Sequence, residues 1–202
     1  MQNEQLLDRL REVLSPEEYE LLSEYDTPEK AWLKSRSSAW MIRILSLPEF
    51  AEKDHHRIIR LGIRLLEQTP VGDGECIVGL ITNKRVCDFI QVLNLYAEGY
   101  APRTLITNND LRPQMNLILS SAQSKWGATS PRLGATRLVW HLVQDAPSVE
   151  QMFSTVRDII QACTKHGHPT EAYRSLSGTI RMVYRRLPVD ILLPKTPVHC
   201  EG

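Results

Sequence analysis

No run of 18 apolar residues occurs anywhere in the 202-residue chain, so no segment is expected to cross a membrane as a helix. The opening stretch MQNEQLLDRLREVL turns polar by residue 3 and does not read as a signal peptide. Cysteine is scarce: Cys76, Cys87, Cys163 and Cys200 lie far apart with no CxxC pair. That spacing fits reduced thiols in a cytoplasmic or nuclear protein rather than a disulfide scaffold. Aromatic residues make up 6% of the chain, too few for an extended base-stacking platform. The catalytic signatures GxSxG, HExxH, GxxxxGK[ST] and GxGxxG are all missing. The glycines of VGDGE (71–75) alternate with acids that would repel a phosphate. No catalytic residue and no cofactor are therefore assigned. There is no fixed-period repeat and no low-complexity tract.

Net charge is also zero, but it is unevenly spread. Residues 1–30 hold nine acids (Glu4, Asp8, Glu12, Glu17, Glu18, Glu20, Glu24, Asp26, Glu29) against three bases, and the remainder holds 21 bases against 15 acids. An acidic front on a mildly basic body has two readings: scatter on solvated helix faces, or a segment that docks on or shields a basic surface.

Helix-start signals are plentiful. Ser15-Pro16-Glu17-Glu18 combines a cap, a proline at the first helical position and an acid at the third. Thr27-Pro28, Ser130-Pro131 and Ser148-Val149-Glu150-Gln151 offer related starts. Together with apolar periodicity these predict helices over 3–13, 16–25, 28–46, 50–68, 84–98, 109–126, 131–145, 149–166 and 170–187. The expected fold is all-α, an irregular bundle of eight or nine helices, with a division into two helical subdomains as an alternative. Glu75–Ile81 is short and partly β-branched, but with no second strand to pair with it, it reads as a buried short helix. TPVGDGE (69–75) is the clearest loop. The weaker break around 99–108 would separate an amino-terminal part (1–98) from a carboxy-terminal part (109–187). Pro188, Pro194 and Pro197 predict an extended tail over 188–202.

Cationic side chains give the main functional signal. At about 100° per residue, Lys53, Arg57, Arg60 and Arg64 fall within about 60° of one another, opposite a broad apolar arc. The last long helix repeats the pattern: Arg174, Arg181 and Arg185 fall within about 40°. Arginines one turn apart can bridge successive carboxylates or phosphates through their forked donors. They are equally the ordinary wet edge of a core helix. No acid lies four residues on within either stripe. Trp32, Trp40, Trp126 and Trp140 all fall on predicted helices, where core packing is the simpler reading and a partner groove the alternative. His55 points into an apolar arc and is expected to be buried and neutral.

Cys163, His166 and His168, with His199 and Cys200, are ligand types that zinc favours. Their spacing matches no structural zinc motif, and Gly167 and Pro169 explain the region as a helix stop, so no metal is assigned. Three functional readings follow. The first is a non-enzymatic scaffold or adaptor that binds a protein partner or itself through its acidic front and arginine edges. The second is an RNA- or other nucleic-acid-binding protein whose two stripes line one groove and contact phosphates. The third is a small helical enzyme or zinc protein, since catalytic groups are neighbours in space rather than in sequence.

Overall fold

The structure, a computed structural model, describes residues 2–72, 74–107, 111–163 and 170–193. It is mostly helical, as expected, but the described residues form thirteen α-helices rather than eight or nine. In chain order these are α1 (Gln2–Val13), α2 (Pro16–Ser23), α3 (Pro28–Lys34), α4 (Ala39–Leu45), α5 (Pro48–Lys53) and α6 (His55–Gln68). A β-hairpin of β1 (Pro70–Gly72) and β2 (Glu75–Cys76) and a 3-10 turn (Ile77–Leu80) come next. Then follow α7 (Lys84–Ala97), α8 (Thr104–Thr107), α9 (Leu111–Trp126), α10 (Pro131–Leu142), α11 (Val149–Cys163), α12 (Thr170–Val183) and α13 (Val189–Leu192). No helix among the described residues is long and apolar enough to cross a membrane.

Local chemistry explains where the helices begin. Ser15 forms a full capping box: its hydroxyl accepts from the Glu18 amide, while its own amide donates to the Glu18 carboxylate. Thr27 accepts from the Lys30 amide, and Ser148 from the Gln151 amide. Asn83 opens α7 in the same manner, by accepting from the Arg85 amide.

Four expectations need correction. The helix predicted over 28–46 is two helices, because serine side chains claim backbone groups in the intervening linker. The Ser35 hydroxyl takes the Ser37 amide, and the Ser37 hydroxyl takes the Ala39 amide. The helix predicted over 50–68 breaks at Asp54, whose backbone (φ −131°, ψ 28°) leaves the helical region. The run 75–81 does have a strand partner: Pro70–Gly72 pairs antiparallel with Glu75–Cys76, and only 77–80 is helical. Gly72 and Gly74 adopt φ of 123° and 78°, which lets the chain reverse within so few residues. Finally, the start of the predicted tail folds back instead of extending. Residues 189–192 form a helical turn that buries Ile191 and Leu192 and packs on α1 and α5. Residues 194–202 lie outside the described residues.

The core is organised around α6. Its apolar arc is completely used: Ile58, Ile59, Leu61, Ile63, Leu65 and Leu66 are all buried. Each such side chain contributes roughly 1.5–3 kcal/mol through water exclusion. The helix packs against α5, α7, α10, α11 and α12. Gly62 lets α10 come close, since a Cβ there would sit 2.2 Å from a methyl of Leu142. Trp32 and Trp40 are fully buried and meet edge to face, with ring centroids 5.4 Å apart. Trp140 is only partly buried, and its indole N–H donates to the Asn116 side chain at 2.6 Å.

Candidate anion-binding cleft

The arginine edge of α6 is neutralised within the molecule. Lys53 ends α5 and is cut off from the others by the break at Asp54. Arg57 lies 3.6 Å from the Asp54 carboxylate and over the Tyr184 ring, 5.9 Å from its centroid. Arg60 donates to the carbonyl oxygen of Ala97, the last residue of α7, and lies 3.8 Å from the Glu98 carboxylate. Arg64 donates to Glu67 at 3.0 Å. The acids come from i−3, from i+3 and from another helix, positions that an i+4 inspection passes over.

The α12 stripe divides in three. Arg181 turns inward, and its guanidinium donates to the carbonyl oxygens of Ser35 (2.8 Å) and Trp32 (3.4 Å) and to the Ser177 hydroxyl (3.2 Å). Its pKa is lowered, chiefly by burial. Arg185 is exposed in the turn that follows α12. Arg174 alone reaches an open cleft.

That cleft encloses about 380 Å3 and is lined by Arg36, Ser37, Ser38, Ala39, Arg157, Tyr173, Arg174 and Leu176. Three elements build it. The α3–α4 linker supplies Arg36 and two serines, α11 supplies Arg157, and α12 supplies Tyr173 and Arg174. The linker is anchored from behind: Arg181 bonds the Ser35 carbonyl, and the buried Trp40 indole donates to the Ser35 hydroxyl at 3.3 Å. Trp32 donates its indole N–H to the Tyr184 carbonyl at 2.8 Å, which ties the end of α12 to α3. Arg157 projects from the solvent side of α11, whose other side buries Met152, Phe153, Val156, Ile159 and Ile160.

Among the described residues, no carboxylate lines the cleft. Arg36, Arg157 and Arg174 are all exposed and make no ion pair among the described residues. Guanidinium groups with hydroxyls beside them carry the donor chemistry that carboxylates and phosphates accept. A second cleft of about 530 Å3 shares Ala39 and Arg157 with it and is lined by Glu18, Arg43, Glu150 and Gln151 among others. Glu18 lies 3.6 Å from Arg43 there, so the positive field declines in that direction.

The structure thus joins Arg174 to Arg36 and Arg157, which the sequence reading did not single out, and leaves the α6 arginines outside the cleft. Arg36 was hidden inside a predicted helix. Its one signal was KSRSS, a serine-rich cationic interruption. Arg157 stands alone on its helix, and only the packing of α11 beside α12 and the linker gives it company.

Other chemistry is buried or undescribed. His55 is buried and pairs through Nδ1 with the Tyr96 hydroxyl at 2.9 Å; burial lowers its pKa to about 4. His141 is likewise buried, bonded to the Thr155 hydroxyl at 3.2 Å, with its pKa lowered by burial to about 4. Asp54 is buried beside Tyr184, and burial raises its carboxyl pKa. Of the zinc-type residues, only Cys163 is described: it ends α11, half-buried, with its thiol pKa raised by burial. His166, His168, His199 and Cys200 lie outside the described residues. Comparison of the chain with protein-family models, with curated proteins and with solved structures finds no match.

Proposed function

We propose that this chain is a non-enzymatic interaction protein that holds an acidic segment of a protein partner in the cleft of Arg36, Arg157 and Arg174. One observation carries the reading: these three arginines converge with no carboxylate beside them among the described residues, whereas Arg57, Arg60, Arg64 and Arg181 are all engaged within the fold. A cationic site left uncompensated in a chain of zero net charge is a place where an outside anion replaces the missing partner.

The nucleic-acid reading is less well supported. It relied on the α6 and α12 stripes lining one groove, and most of those guanidinium groups already have partners. What favours it is the set of hydroxyls beside the arginines, Ser37, Ser38 and Tyr173, a mix that phosphates also use.

Titration of the protein with a fluorescent oligoglutamate peptide and with a single-stranded oligonucleotide of equal charge separates the two. The peptide is expected to bind, and the combined substitutions Arg36→Glu, Arg157→Glu and Arg174→Glu to weaken it at least tenfold, while Arg64→Glu changes it less than threefold. If only the oligonucleotide binds, with a log–log salt slope near −2 as about three phosphate contacts on a single strand give, the nucleic-acid reading replaces this one. If neither ligand binds, the cleft is no receptor for anions.

A further inference from the structure

Resting on the anion-binding reading above, we infer that the occupant of the cleft is a second copy of this chain, which presents the acidic outer edge of its α2. Helix α2 carries Glu17, Glu20 and Glu24, the last at its cap. At about 100° per residue these three fall within about 60° of one another, on the side away from buried Leu22. All three are exposed, and their carboxylates have no ion pair among the described residues.

Neighbouring acids differ in this respect. Asp8 pairs with Arg11, Glu12 with Arg9, Asp26 with Lys30, and Glu18 serves both Ser15 and Arg43. Glu29, on α3, is also exposed without an ion pair among the described residues, but only Glu17, Glu20 and Glu24 line up, as a three-carboxylate edge about 10 Å long, seven residues at 1.5 Å rise. Three uncompensated carboxylates in line match three uncompensated guanidiniums around a shallow cleft, in the same chain and with zero net charge between them.

Placement supports a reciprocal pair. The inner side of α2 reaches the cleft region through Glu18 and Arg43, and Arg43 shares the adjoining cleft with Arg157. The acidic edge and the arginines thus occupy neighbouring parts of one protomer, while the edge itself points away from the core. A twofold-related second copy would set each α2 edge on the other's arginines, which makes both contacts at once and closes the assembly.

Sedimentation velocity on the full chain tests this at low ionic strength, where the screening length is about 30 Å. The wild-type chain is expected to form a dimer that dissociates as salt is added. Two charge-reversed variants are needed: Glu17→Lys, Glu20→Lys, Glu24→Lys in one, and Arg36→Glu, Arg157→Glu, Arg174→Glu in the other. Each alone is expected to weaken association about 30-fold or more, with an unchanged circular dichroism spectrum because every altered side chain is exposed. Mixed one to one, they are expected to recover a dimer, since each surface then meets its opposite.

A wild-type chain that stays monomeric at low salt, variants that associate like wild type, or a mixture that fails to pair would overturn the second-copy assignment. The peptide titration tells the two failures apart. Cleft-dependent peptide binding by a monomeric protein ends only this inference, whereas its absence ends the anion-binding reading as well.

Discussion

Arg60 and Arg181 end on carbonyl oxygens at the carboxy-terminal ends of other helices, Arg60 on α7 and Arg181 on α3. These are the sites where a helix leaves acceptors unpaired and its dipole is negative. Arg181 thereby holds the linker that presents Arg36. Replacing it by Met keeps the aliphatic stem but leaves the Ser35 carbonyl without that donor, at a cost of about 1–3 kcal/mol. The expected result is a melting temperature lower by roughly 3–10 °C for a chain of this size, together with weaker peptide binding although Arg181 touches no ligand. Arg185→Met, on an exposed side chain, is expected to leave the melting curve unchanged; equal losses in both variants would remove the brace role. The buried imidazoles add a pH dependence. His55 and His141 have folded-state pKa values near 4 against an ordinary 6.5, so below pH 6.5 the unfolded chain binds protons that the native chain does not. Their stabilising contribution is complete above pH 6.5 and falls away as pH drops toward 4, by at most about 3 kcal/mol for each. Asp54 acts in the opposite sense: its raised pKa costs stability at neutral pH, and that cost eases on acidification. With two histidines against one carboxyl, urea denaturation is expected to show a net loss of stability between pH 6.5 and 4, reduced in His141→Gln. A flat profile over that window would contradict the buried, neutral imidazoles.

Glycine positions make a test at the scale of helices. Ala exceeds Gly in helix propensity by about 1 kcal/mol, so Gly178→Ala in α12, where nothing lies within 4 Å of the added carbon, is expected to stabilise the fold. Gly62→Ala in α6 is expected to do the reverse. Its methyl would meet the fully buried Leu142 at 2.2 Å and force α6 and α10 apart. Thermal melts of the two variants should move in opposite directions, and the same sign in both would mean that α6 and α10 do not approach so closely. Neither close contact nor open space can be read from a lone glycine in a sequence, whereas the helices carrying them could be. Ser15-Pro16 and Thr27-Pro28 announce their helices because caps act within four residues. At 35–38 the serine-rich KSRSS was the one sign of a break, and the apolar pattern of Trp32, Trp40 and Ile44, which runs on across it, overrode that sign. What stabilises the break is in part distant: Arg181 holds the Ser35 carbonyl across 146 positions of sequence. The hairpin escaped for a similar reason, since β1 and β2 are too short to show an alternating pattern.

At the scale of the whole molecule, the legible part of the cleft was Arg174, which stood out for its place in a stripe. Arg36 and Arg157 acquire meaning only when the linker, α11 and α12 come together, and most stripe arginines lost theirs to partners near in sequence, as for Arg57 and Arg64, or on other helices, as for Arg60 and Arg181. The same packing governs how the chain unfolds. Helix α6, from the first half of the chain, packs on α10, α11 and α12 from the second, and one apolar cluster runs from Leu6 to Leu192. A core shared this way leaves neither side of the 99–108 region able to bury its own apolar surface. Residues 1–98 alone would expose the face of α6 that covers Leu142 and α12. We therefore expect a single calorimetric transition for the full chain, with the van't Hoff enthalpy equal to the calorimetric one. We expect residues 1–98, made separately, to show helical circular dichroism without a cooperative melt. Two resolved transitions, or a cooperatively melting 1–98 fragment, would show instead that the molecule is two helical subdomains, and that the cleft belongs to an interface able to open.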